Sequence, residues 1–219
     1  MASGLFRTVF FTSCLNLPLH LFQSIYNEEI SREGFEASAL LSKETARKAM
    51  YEARVKKIPS CPEDLGEAIK LLEDGEVPAD ILASYLGHVT WNETRSTAQT
   101  KTHHALLIGD KNLFNTVTSQ SNFFFADGTF GCTPRQARSI SVRGSQVFSI
   151  VADFHDKAVC ILTVVMTSRK LPMYKLVLKK LKEIFPDFKP ARLMADYEPA
   201  MRKAFTKEFP ETRLLGCRH

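Results

Sequence analysis

The chain has 219 residues, of which 44% are hydrophobic and 24% are charged, and this balance is typical of a folded globular protein. The 29 lysines and arginines exceed the 24 acids and give a formal net charge of +5, which permits contact with phosphates without requiring it. No apolar run reaches the ~18 residues that span a bilayer, so the sequence predicts no membrane partner.

The cysteines indicate a reducing compartment. They are odd in number and widely spaced with no Cys-x-x-Cys pair, which predicts neither a disulfide framework nor a four-ligand zinc site. The segment Leu5 to Leu19 faintly resembles a signal peptide, but Asn16 and Pro18 interrupt its apolar core. Secretion therefore stays open as the alternative, and it is also open whether this segment is genuine coding sequence.

Two regions are expected before the strand-rich part of the chain. Residues 1–40 carry no well-defined pattern, and residues 41–118 are predicted to be mainly helical. Alanines and Met50 at helical spacing predict a helix over 45–57, and further helices are expected over 65–72 and from Pro78. The polar, Thr-rich stretch from Thr90 to Thr102 is expected to form a loop or an edge hairpin.

One face of the helix over 45–57 is basic. It is a candidate for contact with a nucleic-acid backbone, although a run of like charges is usually a solvated face. Its candidate DNA-binding residues are Arg47, Lys48, Arg54, Lys56 and Lys57.

Residues 119–219 predict an α/β domain. Three apolar runs indicate three strands, and the last two are joined by the short connection at 153–157, so antiparallel pairing is expected first. An amphipathic helix from Pro172 to Phe185, a strand at Leu193, a second helix and a final strand near Leu214 follow. The helices are long enough to be crossovers between parallel strands.

Two acids follow apolar strands in this region. Asp127 comes directly after Phe123-Phe124-Phe125-Ala126, and Asp196 comes directly after Leu193-Met194-Ala195. If the second strand returns parallel and next to the first, both carboxylates lie at the same edge of the sheet, where a divalent cation such as Mg²⁺ or Mn²⁺ would offset their repulsion. The alternatives are structural: Asp-Gly is common in turns, and Asp before Glu-Pro is a common helix N-cap.

Several short motifs, in this order, resemble the catalytic domain of the Mutator-like element (MULE) transposases. The match covers roughly Ser119 to the C-terminus and extends more weakly through Ala46 to Leu65. The motifs are Phe125-Ala126-Asp127-Gly128-Thr129-Phe130, Leu176 to Pro186, Met194-Ala195-Asp196-Tyr197-Glu198, Ala204-Phe205, Phe209-Pro210 and Leu215-Gly216-Cys217.

This resemblance implies a ribonuclease H-like fold with a DDE metal site that cuts and joins transposon DNA. It implies that Asp127 and Asp196 are the first two catalytic, metal-binding aspartates, that Mg²⁺ or Mn²⁺ is the cofactor, and that the protein is nuclear and acts on DNA, with homo-oligomerisation possible in the family. The family's third acid, a glutamate beyond the last strand, and the histidine of its Cys-x-x-His element have no counterpart here, since Glu198 lies too close to Asp196 and His219 falls one position early.

From this resemblance we expect an incomplete, truncated domain over residues 119–219 that is inactive by itself. The alternative from another class is a domesticated remnant that binds DNA or a protein without catalysis, through the basic helix over 45–57 and the Lys-rich helix around Lys175 to Lys182. A third alternative is an unrelated α/β enzyme whose acids cap turns.

Overall fold

The computed structural model describes residues 27, 31, 42–55, 61–96, 99–138 and 144–216. The chain divides into two compact units, Met1–Ser60 and Cys61–His219. Helix α1 (Lys43–Val55) lies in the first unit and confirms the helix predicted over 45–57 as far as Val55. Lys56 and Lys57 lie outside the described residues.

The second unit is an α/β fold around one seven-stranded mixed sheet. Within the described ranges, no helix is both long and apolar enough to cross a membrane. Its elements follow in the order α2 (Leu65–Glu73), α3 (Ala79–Ala83), β1 (Tyr85–Ser96), β2 (Gln99–Ile108), α4 (Lys111–Gln120), β3 (Phe123–Thr129), α5 (Arg135–Arg138), β4 (Gln146–Phe154), β5 (Lys157–Met166), α6 (Leu171–Ile184), β6 (Arg192–Ala195), α7 (Pro199–Glu208) and β7 (Arg213–Gly216).

The strands lie in the order β1-β2-β5-β4-β3-β6-β7. Strands β3, β4 and β5 pair antiparallel, as predicted, whereas β6 pairs parallel with both β3 and β7. The carboxyl ends of β3, β5, β6 and β7 therefore lie at one edge of the sheet, together with the amino ends of β2 and β4. We call this edge the carboxyl edge.

The prediction of a mainly helical region over 41–118 is wrong for its second half. Strands β1 and β2 form a long hairpin there, and β2 joins the main sheet by pairing with β5 from Ala105 beside Met166 to Ile108 beside Thr163. Of the loop or edge hairpin expected over Thr90 to Thr102, the hairpin is the one that forms, and it extends beyond that polar stretch at both ends. Its conformation is determined by pairing with a strand distant in sequence, which local propensity does not register.

Helices cover both faces of the sheet. Helices α4, α6 and α7 pack on one face against alternating residues of the central strands, such as Phe124, Ala126 and Leu193. Helices α2 and α5 pack on the other face against Leu106 and Val165. The alternation of these contacts along each strand is the period of two that a sheet covered on both faces requires.

An aromatic stack anchors α4 to the larger core. The fully buried ring of Phe114 stacks on Phe185 with ring centroids 3.7 Å apart and meets the edge of Phe188 at 5.2 Å. Phe188 in turn contacts Phe124 of β3 at 5.3 Å. This stack couples the helix before β3 to the end of the crossover helix α6.

We expect Phe114→Ala to destabilise the fold by about 3–5 kcal/mol, because it empties a buried ring site between two further rings. Urea unfolding followed by circular dichroism measures the change. The neighbouring Leu113→Ala is the matched control, because its side chain is 41% exposed and its loss should cost within about 0.5 kcal/mol. Equal costs for the two substitutions would contradict the packing described.

Candidate functional site

The two predicted acids are neighbours at the carboxyl edge. Strands β3 and β6 run parallel with Ala126 beside Ala195, and Asp127 and Asp196 each come one position later. Because adjacent strands lie about 4.8 Å apart, this register places the two acids side by side. The predicted parallel pairing is confirmed; Asp127 is exposed and Asp196 is half-buried.

Asp127 and Gly128 do not form a turn. Strand β3 continues to Thr129, with Asp127 opposite Ser149 and Gly128 opposite Phe148 of β4. A Cβ atom on Gly128 would lie only 2.4 Å from Oε1 of Gln146, so any other residue here would displace the buried Gln146 amide. The glycine after the first acid is therefore explained by packing rather than by chain reversal.

Each aspartate uses one carboxylate oxygen in a local hydrogen bond. Asp127 Oδ1 accepts from the Gly128 backbone N–H at 2.8 Å, and Asp196 Oδ1 accepts from the Glu198 backbone N–H at 3.0 Å. Among the described residues, no lysine or arginine forms an ion pair with either carboxylate. Neither the Asp-Gly turn nor an N-cap at Asp196 is present, and the local hydrogen bonds engage one oxygen of each carboxylate and leave the other available.

A buried chain of hydrogen-bonded polar side chains runs beneath this pair, on the face of the sheet covered by α6 and α7. The Gln146 side-chain amide donates to the Tyr174 hydroxyl, which donates to Glu198 Oε2 at 2.9 Å. Gln146 and Tyr174 are fully buried, and Gln146 Oε1 has no hydrogen-bond partner among the described residues. The chain links β4 to α6 and to the start of α7.

Glu198 lies at the N-cap of α7. Its side chain makes no capping hydrogen bond and instead accepts from Tyr174. Burial raises the pKa of Glu198, and the negative charges of Asp196 and Asp127 act in the same direction, against the Tyr174 hydrogen bond and the charge of Arg169. Its carboxyl group thus feels both members of the acid pair.

Tyr174 is held in its neutral form. Burial raises the pKa of its hydroxyl well above the usual range, and the charge of Glu198 adds to this effect. The hydroxyl therefore acts as a fixed donor that fills one acceptor position of the Glu198 carboxylate.

A cleft of roughly 380 Å³ opens beside Glu198 at the carboxyl edge. Its lining comes from β2, from the residue before Ser145, from the connection between β5 and α6, and from the start of α7. The lining residues are Lys101, His103, Gly144, Thr167, Ser168, Arg169, Lys170 and Glu198. The cleft therefore brings three permanent cations into the neighbourhood of the acids.

One wall of the cleft is fixed by Glu93 of β1. Glu93 pairs with both Lys170 and the buried His103, whose Nε2 atom lies 3.3 Å from Glu93 Oε2. The His103 ring stacks on Trp91 with centroids 5.2 Å apart. These contacts hold the hairpin against the start of α6.

Sequence reasoning missed the residues of this cleft. Ser168-Arg169-Lys170 directly after a strand was a usable signal, because basic residues at a strand end beside a helix start can meet phosphate. Lys101 offered no signal, since the sequence left its stretch open between a loop and an edge hairpin and did not indicate that β2 would bring it to this cleft. Gln146 and Tyr174 likewise enter only through the packing of β4 on α6.

Two of the predicted DNA-binding residues are exposed on α1. Arg47 and Lys48 line an open depression with Glu44 and Tyr51 in the first unit. The side chain of Arg54, and Lys56 and Lys57 entirely, lie outside what the structure describes, as do Cys217 and His219.

The two carboxylates of the acid pair can supply two oxygen ligands to a hard cation. Two adjacent carboxylates, each with one oxygen left by its local hydrogen bond, are ligands of the kind that Mg²⁺ and Mn²⁺ prefer. Within the described ranges no three His, Cys, Asp or Glu side chains converge as a metal-ligand group. Asp127 and Asp196 are therefore a two-ligand arrangement.

No protein-family model, curated protein or solved structure matches this chain in the comparisons made.

We expect Glu198→Gln to change how stability depends on pH. A carboxyl group whose pKa is raised by folding stabilises the protein fully below its unfolded pKa, and this contribution is lost as pH rises through the folded pKa. Glutamine keeps an oxygen that accepts from Tyr174 but does not ionise. The stability of the variant relative to the original chain should therefore increase as pH rises from about 4 to about 7.

Urea unfolding across that pH range measures the difference, and Glu76→Gln, at an exposed position in the connection after α2, is the matched control. A stability difference for Glu198→Gln that stays constant with pH would show that the carboxyl group is not affected by its surroundings as described.

Proposed function

We propose that the second unit carries the two-aspartate metal site of a Mutator-like element transposase domain, and that its substrate is DNA. The observation that carries the proposal is the β3–β6 register, which places Asp127 of β3 beside Asp196, the residue after β6, at one edge of the sheet. Neither acid alone would support it, because each has a structural role in its own turn or strand.

The order of the last five strands supports the same proposal. Three antiparallel strands, a crossover helix, a parallel strand beside the first of the three, a second helix and a further parallel strand are the arrangement that a ribonuclease H-like fold implies. The hairpin of β1 and β2 extends this sheet beyond β5.

Asp127 and Asp196 would hold Mg²⁺ or Mn²⁺, which when bound supplies charge stabilisation and an activated oxygen nucleophile at a phosphodiester. The chain's own contribution is to fix the two carboxylates. The Gly128 and Glu198 N–H groups each hold one oxygen, and the Tyr174 hydroxyl holds the Glu198 carboxylate by a hydrogen bond. Two ligands leave much of an octahedral shell to water and substrate, so we propose weak metal affinity and little activity for this chain by itself.

Nicking of supercoiled plasmid DNA in Mn²⁺ is the direct test. We expect weak nicking that is lost in both Asp127→Asn and Asp196→Asn, because an amide keeps the local hydrogen bond but weakens the ligand. Asp110→Asn is the matched control: Asp110 caps α4 at the opposite edge of the sheet by accepting from the Leu113 N–H, and asparagine preserves such a cap. Nicking that survives both substitutions would reject the site.

Thermal unfolding provides a second readout for the same substitutions. Mn²⁺ at ten times its Kd should stabilise the original chain by about 1.4 kcal/mol, whereas both variants should show no such gain. Without metal the variants should be at least as stable as the original chain, because one of two adjacent negative charges has been removed. Loss of stability in metal-free buffer would indicate a purely structural role.

A specific observation also favours the non-catalytic alternative, in which the outer surface of α6 and α7 binds DNA. Lys207 of α7 and Lys179 of α6 lie close enough to the half-buried Lys175 that their charges lower its pKa. Cations that repel one another on a surface are relieved by a phosphate backbone.

For this alternative we expect Lys175→Gln to weaken duplex binding uniformly across sequences and to lower the slope of log affinity against log salt by about 1. Fluorescence anisotropy at several salt concentrations measures both quantities. Lys111→Gln, at the exposed start of α4, is the control. An unchanged salt slope would remove Lys175 from the DNA contacts.

A further inference from the structure

Two exposed aromatic rings follow the acid pair at the carboxyl edge. Tyr197 comes directly after Asp196 and is 62% exposed, and Phe130 comes three positions after Asp127 and is 50% exposed. Single exposed apolar side chains are common on protein surfaces and need no explanation. These two differ because each carries a guanidinium group over its ring.

The Phe130 ring is presented by a fixed turn. The Phe130 carbonyl accepts from both the backbone N–H and the hydroxyl of the buried Thr133, at 3.2 and 2.9 Å. The guanidinium of Arg138 donates to the carbonyl of the next residue, Gly131, at 3.0 Å. The guanidinium carbon of Arg169, a cleft residue, lies 4.6 Å from the Phe130 ring centroid.

The Tyr197 ring is also held in place. Its hydroxyl occupies the space in which a Cβ atom on Gly216 would lie, at 2.2 Å, so the ring packs against bare backbone of β7. The guanidinium carbon of Arg202 lies 5.5 Å from the ring centroid, and Arg202 donates to the Leu215 carbonyl at 3.0 Å. Arg202 thus fastens the ring to β7 while most of the tyrosine stays exposed.

Fixed aromatic rings with adjacent cations are the features by which proteins hold unpaired nucleobases and their phosphates. Bases stack on the rings, and arginines contribute both stacking and charge to the backbone. Lys101 in the adjoining cleft adds positive charge on the same edge of the sheet, where Lys170 is paired with Glu93. Bases within a duplex are already stacked on one another and present no free face to such a ring.

We propose that Phe130 and Tyr197 form a stacking site for unpaired bases of a DNA strand, on either side of the acid pair. This rests on the proposed function for the choice of DNA and for the acids as the reacting centre. The site then takes its substrate as a single strand or as a locally opened end rather than as an intact duplex.

Anisotropy of a labelled oligo(dT) of about 20 nucleotides, longer than the ~4–16-nucleotide footprints of single-strand-binding folds, tests the proposal on the full chain in EDTA. We expect Phe130→Ala and Tyr197→Ala each to weaken binding about 5-fold or more, the range of one lost base–aromatic stack. Phe130→Tyr and Tyr197→Phe should keep nearly the original affinity, because the ring remains. Affinity for a blunt duplex of equal length should change less than about 2-fold in every variant.

Leu113→Ala is the control for loss of an exposed apolar side chain, since it lies on α4 near the opposite edge of the sheet. The proposal is overturned if the two alanine variants bind oligo(dT) as the original chain does, if duplex binding falls equally, or if the original chain does not bind oligo(dT). The binding assay contains no metal, so it is independent of the nicking assay. If Phe130 and Tyr197 are needed for binding but no nicking depends on Asp127 and Asp196, the proposed catalysis is rejected and the stacking site is retained. Oligo(rU) in place of oligo(dT) tells whether DNA is the preferred strand.

Discussion

The parallel register between β3 and β6 is the constraint on which the candidate site depends. Ala126 and Ala195 lie side by side beneath α6 and α7, both nearly inaccessible to solvent, and any slip of one residue would turn an acid into that apolar layer. The alternation of buried side chains along both strands therefore determines where the carboxylates emerge. The repulsion of two adjacent carboxylates at the edge is offset by the burial of large side chains on the same strands, among them Phe124 and Leu193.

The buried chain from Gln146 through Tyr174 to Glu198 makes the geometry of the edge depend on the crossover helix. Tyr174 lies in α6, and its hydroxyl accepts from the Gln146 amide and donates to the Glu198 carboxylate. In a low-dielectric interior such a chain is strong when satisfied and costly when broken, so it resists relative movement of β4, α6 and α7. Gln146 Oε1, which has no hydrogen-bond partner in the part of the chain that the structure describes, lies where a Cβ atom on residue 128 would come within 2.4 Å of it.

Most of the fold of residues 119–216 follows from local pattern. Each strand has a clear apolar run, and helices α6 and α7 each have a proline near the start and an apolar face. The hairpin of β1 and β2 does not follow from local pattern, since its polar, Thr-rich sequence is compatible with a loop until β5 pairs with it. For the site the limit is similar. Asp127 and Asp196 could be predicted because they follow recognisable strands, whereas Arg169, Gln146 and Tyr174 become relevant only when the sheet brings distant segments to one edge. Phe130 and Tyr197 stood within the motifs, but nothing in the sequence distinguishes an exposed ring from a core ring.

The distribution of charge along the carboxyl edge gives the site its polarity. The acid pair lies where β3 and β6 pair, and the cations of the cleft lie where β5 ends. Glu198 lines the cleft together with Arg169. Burial raises the pKa of Glu198, the charge of Arg169 acts against this rise, and the charges of Asp196 and Asp127 add to it. Negative charge without a basic partner among the described residues is suited to a cation, and positive charge beside exposed rings is suited to a polyanion with stacked bases. A phosphodiester strand with a divalent ion is a ligand that satisfies both halves at once, whereas a surface that only bound DNA would gain nothing from placing two carboxylates beside the backbone. Under the proposed function, the two acids are the feature that distinguishes an edge that processes a nucleic acid from one that only binds it.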